Sequence, residues 1–368
     1  MKIAILTQPI CNNYGGILQN YALQTILERE GHSVTTLNYP VVPVYSGSPV
    51  RHVLSTAKRI LQKIGGNPKI IWVDIAKEAR KQVELAHLQR QFLDERLHLK
   101  TINPPLTFDQ VRDFGFDAYV VGSDQVWRPR YNHYIENMFL DFTEGSNVKR
   151  VAYAASLGTD KWEYSVEETE RCAHWASYFN AISVREHSGI GLLKEHFNVD
   201  ASHVLDPTLL LSKEDYLSIC SREKYSGEEY IAIYVLDFSK EKLSLLNHIS
   251  KELHCPLRFI GRFTRAGYPS VESWLDGIAN AKYVVTDSYH GTVFSTIFEK
   301  QFVTLGNTAR GNSRFESLFE SLGIPSNRLT IEPSKIVSLL KTPLEFGPML
   351  VRKKDMQNKS HLFLRDSL

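Results

Sequence analysis

The chain has 368 residues, more than a single hydrophobic core ordinarily supports, so two domains are expected. With 43% hydrophobic, 23% charged and 11% aromatic residues, the composition suits a globular enzyme and excludes a largely disordered chain, a collagen-like repeat and a coiled-coil rod. Lys+Arg 43 against Asp+Glu 41 leaves a net charge of +2, too small a basic excess for a dedicated nucleic-acid binder.

The opening residues read as a buried strand, Ile3–Thr7, rather than a signal peptide, and no apolar run approaches the ~18 residues of a membrane span. The scattered Cys11, Cys172, Cys220 and Cys255, with no CxxC pair, suit a reducing compartment and give no metal cluster. A cytoplasmic protein is expected. A loop rich in Asn and Gly, Gln8 to Gly16, leads into a helix from about Ile17 to Glu30, which Gly31 stops, and Ser33–Tyr39 forms the second strand. Residues 40–115 break this rhythm with two helices, the short basic Arg51–Ile64 and a longer one from about Trp72 to Leu97, read as a helical insertion at about 45–115. Strands then return at Ala118–Val121, Arg150–Ala155 and Ala181–Val184, with helices near 165–178 and 188–195. The stretch 206–229 reads as an interdomain connection. Beyond it, strands at Tyr230–Leu236, 257–260, 282–286 and 301–305 alternate with helices at 240–253, 271–280 and 292–298, and after Pro343 the tail ends in a short helix, Ser360–Leu368. The expected architecture is α/β: two Rossmann-like domains facing a cleft, residues 1–206 and 207–342, followed by the tail 343–368.

In such sheets ligands bind beyond the carboxyl ends of the strands, where helix N-termini present unpaired N–H groups. Four strand-to-helix turns therefore matter. Asn12-Asn13-Tyr14-Gly15-Gly16 follows the first strand and completes neither GxGxxG nor GxxxxGK[ST], which argues against a dinucleotide site and a P-loop. Gly122-Ser123-Asp124-Gln125-Val126-Trp127 offers a carboxylate and an amide for sugar hydroxyls and an indole for a sugar ring; alternatively Asp124 caps a turn and Trp127 is core. Ser183-Val184-Arg185-Glu186 places a planar guanidinium where it fits a carboxylate or phosphate, or pairs with Glu186. Asp287-Ser288-Tyr289-His290-Gly291 sets a histidine at a helix N-terminus beside the cleft, with Gly291 leaving room for a ligand. The loop after the next strand adds Asn307, Arg310, Asn312, Ser313 and Arg314.

Taken in order, Asn13-Tyr14-Gly15-Gly16 with Leu18-Gln19 and Tyr21-Ala22-Leu23, GSDQVW at 122–127, SVRE with Ser188, VLDPTLLL at 204–211, DSYHGTVFS at 287–295 and Gly311-Asn312-Ser313-Arg314-Phe315 resemble the polysaccharide pyruvyl transferase family over nearly the whole chain. The resemblance implies a two-domain fold like that of GT-B glycosyltransferases and transfer of pyruvate from phosphoenolpyruvate to a sugar as a ketal, in surface or exopolysaccharide biosynthesis. It makes Arg185 the donor-site arginine and His290 the catalytic histidine, with Arg310 or Arg314 as a further cation. Ser288, Gly291 and Asn312 join the donor side; Asn13, Tyr14, Gly15, Gly16, Ser123, Gln125 and Trp127 form the acceptor side, with Asp124 as hydroxyl ligand or base. Phosphoenolpyruvate is then a co-substrate, and no cofactor or metal is called for.

The chemistry agrees. Phosphoenolpyruvate carries a carboxylate and a phosphate and needs cations and helix-terminal amides; ketal formation starts with a proton delivered to its methylene carbon, a task suited to histidine. Acceptors of this family are often carried on a lipid, and Arg51–Ile64, apolar on one stripe with Arg51, Lys58, Arg59 and Lys63 beside it, is a candidate for peripheral membrane contact or, alternatively, a helix packed on the first domain. Two other readings stay open: a nucleotide-sugar-dependent GT-B glycosyltransferase, for which no ribose-binding carboxylate stands out, and a non-catalytic two-lobed sugar-binding protein.

Overall fold

The computed structural model describes residues 1–40, 81–220, 227–264, 267–306 and 312–368. The candidate membrane helix Arg51–Ile64, most of the helical insertion, and Asn307, Arg310 and Gly311 lie outside these.

Two parallel sheets organise the chain. In the first, strands β1 (Lys2–Leu6), β2 (Ser33–Asn38), β3 (Leu99–Thr101), β4 (Ala118–Val121), β5 (Lys149–Ala155), β6 (Ala181–Val184) and β7 (Ser202–His203) lie in the order β3-β2-β1-β4-β5-β6-β7. The second sheet, β8 (Ile231–Tyr234), β9 (Leu257–Phe259), β10 (Tyr283–Thr286) and β11 (Gln301–Thr304), has the order β11-β10-β8-β9. Central strands such as Ile3–Leu6 and Ile231–Tyr234 are buried throughout, as helices on both faces of a parallel sheet require.

Each sheet reverses its winding direction once near its centre: between β1 and β4 in the first, between β8 and β10 in the second. Loops diverge there and leave a crevice at the carboxyl ends of the strands. The helices leaving those crevices, α1 (Tyr14–Arg29) after β1 and, after β10, a helix Tyr289–Ile297, pack against one another across the two halves.

Several local departures from the sequence reading carry information. Helix α1 begins at Tyr14, not near Ile17, so Gly15 and Gly16 belong to its first turn instead of a loop. The chain then passes through α2 (His87–Arg96) into β3, which pairs in register with β2. Residues 99–101 are thus part of the first sheet and not of an insertion. The expected connection at 206–229 is not an exposed linker where it starts: Leu209, Leu210 and Leu211 are buried, and the segment packs on α1. Three consecutive leucines cannot lie on a solvated linker without exposing apolar surface. The helices then continue as α3 (Val166–Ala176), α4 (His187–Phe197), α5 (Lys213–Ile219), α6 (Lys240–Leu253), α7 (Val271–Ala279), α8 (Tyr289–Ile297), α9 (Ser313–Leu322) and α10 (Pro333–Lys341).

The tail is not a short terminal helix. It forms α11, Phe346–Ser367, 22 residues long, which packs on α9 and returns to the first half of the chain. There the Leu205 N–H donates to Ser360 Oγ at 3.0 Å, Gln357 donates to the Leu209 carbonyl at 2.7 Å, and the Phe363 ring meets Tyr153. Leu364 is fully buried in the core cluster that spans both sheets. Leu364→Ala is expected to lower unfolding stability by about 2–4 kcal/mol, the usual cost of an unfilled aliphatic site. Urea denaturation checks this; a loss below about 1 kcal/mol would mean that the tail is only loosely attached.

Candidate active site

Three residues from three separated parts of the sequence converge on one buried carboxylate. Asp206, 1% exposed, leaves the end of the first sheet just after β7. Its Oδ2 accepts from Arg185 Nη1 at 2.8 Å and from Ser123 Oγ at 3.0 Å, and lies 3.5 Å from His290 Nε2. Its Oδ1 accepts from the Thr208 N–H at 3.0 Å and the Thr208 hydroxyl at 2.6 Å. Burial pushes the Asp206 carboxyl up, but the charge and contact of His290, together with Arg185 and Thr208, outweigh it and hold the group well below the usual carboxylate range.

Arg185, at the end of β6, is 3% exposed. Its guanidinium lies 4.4 Å from the centre of the Tyr289 ring, with Glu186 Oε1 3.6 Å from Nε and Asp124 Oδ1 3.9 Å from Nη2. Burial favours the neutral form, yet Tyr289, Glu186, Asp206 and Asp124 raise its pKa above the ordinary value, so the charge is fixed. Its Nε and Nη2, and His290 Nε2, are buried without a hydrogen-bond partner. Each lies beside a different carboxylate, Glu186, Asp124 and Asp206 respectively, at 3.5–3.9 Å, close enough for charge pairing but too long for a hydrogen bond. Arg314, also buried, approaches the Tyr289 ring at 6.0 Å; burial and then the charge of Arg185 pull its pKa down. Arg185, Arg314 and His290 thus come together as expected, whereas Asn312 is the residue preceding α9.

The turn after β10 is built to hold His290. The Thr286 hydroxyl donates to the Tyr234 carbonyl at 2.6 Å and accepts the Ser288 N–H at 3.0 Å. Ser288 caps α8, its Oγ accepting the Gly291 N–H at 3.3 Å, so its hydroxyl has a structural task rather than a free donor-binding one. Gly291 does not open room for a ligand, as the sequence reading had it: a Cβ there would lie 2.3 Å from Thr286 Oγ1, so the missing side chain allows α8 to close on β10. The glycine that serves His290 is in the other half of the chain. A Cβ on Gly15 would sit 2.0 Å from His290 Nδ1 and 2.4 Å from its Cγ, so the backbone of the first turn of α1 lies directly against the imidazole. Asp287 is buried and accepts from the Leu236 and Asp237 N–H groups and from Lys242 Nζ, tying the end of β8 to the same turn.

Beyond β4, Asp124 adopts a left-handed φ of 76°, a strained conformation for a residue with a side chain. Its Oδ1 accepts the Gln125 N–H at 2.9 Å, as the turn-capping alternative has it, and lies 3.9 Å from Arg185 Nη2. Gln125 Oε1 accepts from Arg128, which also grips Glu163 through two bonds of 2.7 and 2.8 Å. Trp127 is not available to stack on a sugar. It is 0% exposed, stacks on Phe139 at 4.8 Å and donates its indole N–H to the Met138 carbonyl, so the core alternative holds. Tyr14 is likewise a packing residue: its ring stacks on Trp274, and its hydroxyl donates to the Pro269 carbonyl and accepts from Gln89. Asn13, by contrast, is exposed at the start of α1 and makes no capping bond. Gly16 sits beside the Asn13 side chain. Sequence reasoning left Asp206, Tyr289 and Arg128 out of the site; for Asp206 the signal was present in VLDPTLLL, where an Asp-Pro step follows an apolar pair.

The family model of polysaccharide pyruvyl transferases matches residues 13–308, and the chain belongs to this family. Among curated proteins none matches the sequence. Solved structures resemble it in fold: UDP-GlcNAc 2-epimerase from Neisseria meningitidis at 10% identity and a TM-score of 0.53, covering 100% of this chain and 99% of that one. Arabidopsis thaliana UGT89C1, complexed with UDP-L-rhamnose, is similar at 10% identity and a TM-score of 0.52, covering 100% and 99%. A putative UDP-N-acetylglucosamine 2-epimerase from Listeria monocytogenes gives 11% and 0.51, covering 98% and 90%. The fold is the GT-B type, two α/β halves facing one another.

Gly15→Ala tests the contact between the halves. The methyl has to displace His290, and a misplacement on the order of 1 Å costs up to ~10²-fold in turnover. A rate loss of that size in a protein of unchanged melting temperature is expected, with Gly16→Ala as the comparison; equal rates for G15A and wild type would show that the imidazole position is not held by α1.

Proposed function

We propose that this protein transfers pyruvate from phosphoenolpyruvate to two hydroxyls of a sugar, forming a cyclic ketal and releasing phosphate, during assembly of a surface polysaccharide. The observation that carries the reading is the convergence of buried Arg185 and His290 on Asp206, with Arg185 Nε and Nη2 and His290 Nε2 making no hydrogen bond within the protein, in a chain of the pyruvyl transferase family. An anion with a planar carboxylate fits the fork of Arg185, and Arg314 adds positive charge beside the same Tyr289 ring.

In the proposed reaction His290 delivers its proton to the methylene carbon of phosphoenolpyruvate, which becomes the methyl group. The adjacent carbon, now electron-poor, takes up the first sugar hydroxyl oxygen, whose proton leaves to a base; Asp124 faces the site and fills that role. The second hydroxyl attacks the same carbon, the carbon–phosphate oxygen bond breaks, and inorganic phosphate departs with the bonding pair and takes up the second hydroxyl's proton as the ring closes; the proton held by Asp124 returns to His290. Asp206 is ionised throughout and stabilises the imidazolium before transfer, while Arg185 and Arg314 offset the charge that collects on the leaving phosphate. No helix among the described residues is long and apolar enough to cross a membrane. A lipid-carried acceptor is proposed to be met by peripheral contact, for which the basic stripe of Arg51–Ile64 is the support in the sequence.

Two variants separate the roles. Arg185→Lys is expected to weaken phosphoenolpyruvate binding in calorimetry, since an ammonium cannot make two parallel bonds. His290→Ala is expected to keep donor binding while transfer to lipid-linked oligosaccharides, read as the pyruvate mass gain, falls by about 10²–10⁴-fold. Binding of UDP-sugars but not of phosphoenolpyruvate by the wild type would instead establish a glycosyltransferase.

A further inference from the structure

Next to the donor site lies a cavity of about 550 Å³ where the carboxyl ends of β8 and β9 face the start of α1. Its walls include Asn13, Tyr234, Phe238, Arg262, Phe263 and Tyr268. Resting on the pyruvyl-transfer reading, we propose that this cavity, and not the turn Ser123–Trp127, holds the acceptor saccharide, with the sugar ring on Phe238 and Phe263 and an anionic substituent on Arg262.

Four observations support the assignment. First, Phe263 and Phe238 are 55% and 43% exposed although each lines the cavity, and two aromatic rings left open at one concave site form a platform for a ring with an apolar face. Sugars present such a face through their axial C–H groups. Secondly, the Arg262 guanidinium lies 5.3 Å from the Phe238 ring centre and 5.8 Å from that of Phe259, and no carboxylate among the described residues pairs with it. Its planar fork is therefore open to a phosphate or carboxylate. Thirdly, Asn13 occupies an N-cap position yet makes no cap bond, which frees its amide to bind hydroxyls. Fourthly, the cavity shares its walls with the elements that position His290. Asn13 is two residues from Gly15, whose backbone touches His290, and the Tyr234 ring is 3.1 Å from where a Cβ on Gly291 would lie. In this proposal the saccharide extends from the cavity past the start of α1 toward His290. The buried Asp287 fixes this geometry, since it binds the backbone N–H groups of the wall residue Leu236 and of its neighbour Asp237 and sits three residues before His290.

The experiment is a glycan array with neutral sugars, glycosyl phosphates and uronic acids as separate arms, probed with wild type, Phe263→Ala and Arg262→Gln, alongside calorimetry with phosphoenolpyruvate. Both replaced side chains are exposed, and matching melting temperatures confirm intact folds. Wild type is expected to retain a subset of glycans, F263A to lose about tenfold or more on all of them, and R262Q to lose about tenfold on the phosphate or uronate arm alone. Which of those arms responds identifies the anionic group. Phosphoenolpyruvate affinity is expected to be equal in all three proteins. Retention of the same glycans by both variants, or no glycan held by wild type, overturns the assignment. Glycan binding that depends on Phe263, in a protein that does not bind phosphoenolpyruvate, would retain the cavity as a saccharide site and reject the pyruvyl-transfer reading.

Discussion

The 2.8 Å bond between Arg185 and Asp206 is the contact on which the arrangement of the site depends. Burying a guanidinium or a carboxylate alone is prohibitive. Together, with Ser123 and Thr208 donating to the rest of the carboxylate and His290 beside it at 3.5 Å, they form a charged centre that is stable inside the protein. This centre also fixes what the site can do. Asp206 belongs to the chain just beyond the first sheet, while His290 belongs to the second half, so the carboxylate marks where the two halves meet.

The placement follows from topology. Each sheet reverses its winding at one point, and the turns leaving those points carry Asn13 and Gly15, Ser123 and Asp124, the wall residues Val235, Leu236 and Phe238, and Asp287 to His290. Helix α1 can approach α8 closely only because Gly15 has no side chain; any larger residue would occupy the place of the imidazole. The long α11, buried through Leu364 and bonded to Leu205 through Ser360, returns from the end of the chain to hold the segment that carries Asp206. Remote parts of the sequence therefore maintain a few ångströms of geometry.

The alternation of strands and helices was readable because buried parallel strands such as Ala118–Val121 and Ala181–Val184 are short apolar runs, and their observed bounds match the expected ones. Helix beginnings were harder. Tyr14-Gly15-Gly16 and Tyr289-His290-Gly291 look like loops because glycine opposes helix formation locally, but tertiary packing against His290 and Thr286 requires glycine inside those first turns. Short edge strands, Leu99–Thr101 and Ser202–His203, carry too few residues to show a period. Arg185 and His290 could be identified as site residues because charge and position coincided at strand ends. Trp127 could not be separated from the core by residue type, since an indole suits both roles, and only its bond to the Met138 carbonyl decides the matter. Asp206 stood in the VLDPTLLL motif, but its partners Arg185 and His290 lie 21 and 84 residues away, so the motif did not show what the carboxylate does.

The central claim is that Asp206 and His290 act as one unit. A double-mutant cycle measures this directly: transfer rates for wild type, Asp206→Asn, His290→Ala and the double variant, each in folded protein. Residues that act together give strongly non-additive losses, so the double variant is predicted to be no slower than His290→Ala alone, within about threefold. Losses that multiply, with the double variant slower by the product of the two single penalties, would contradict the account.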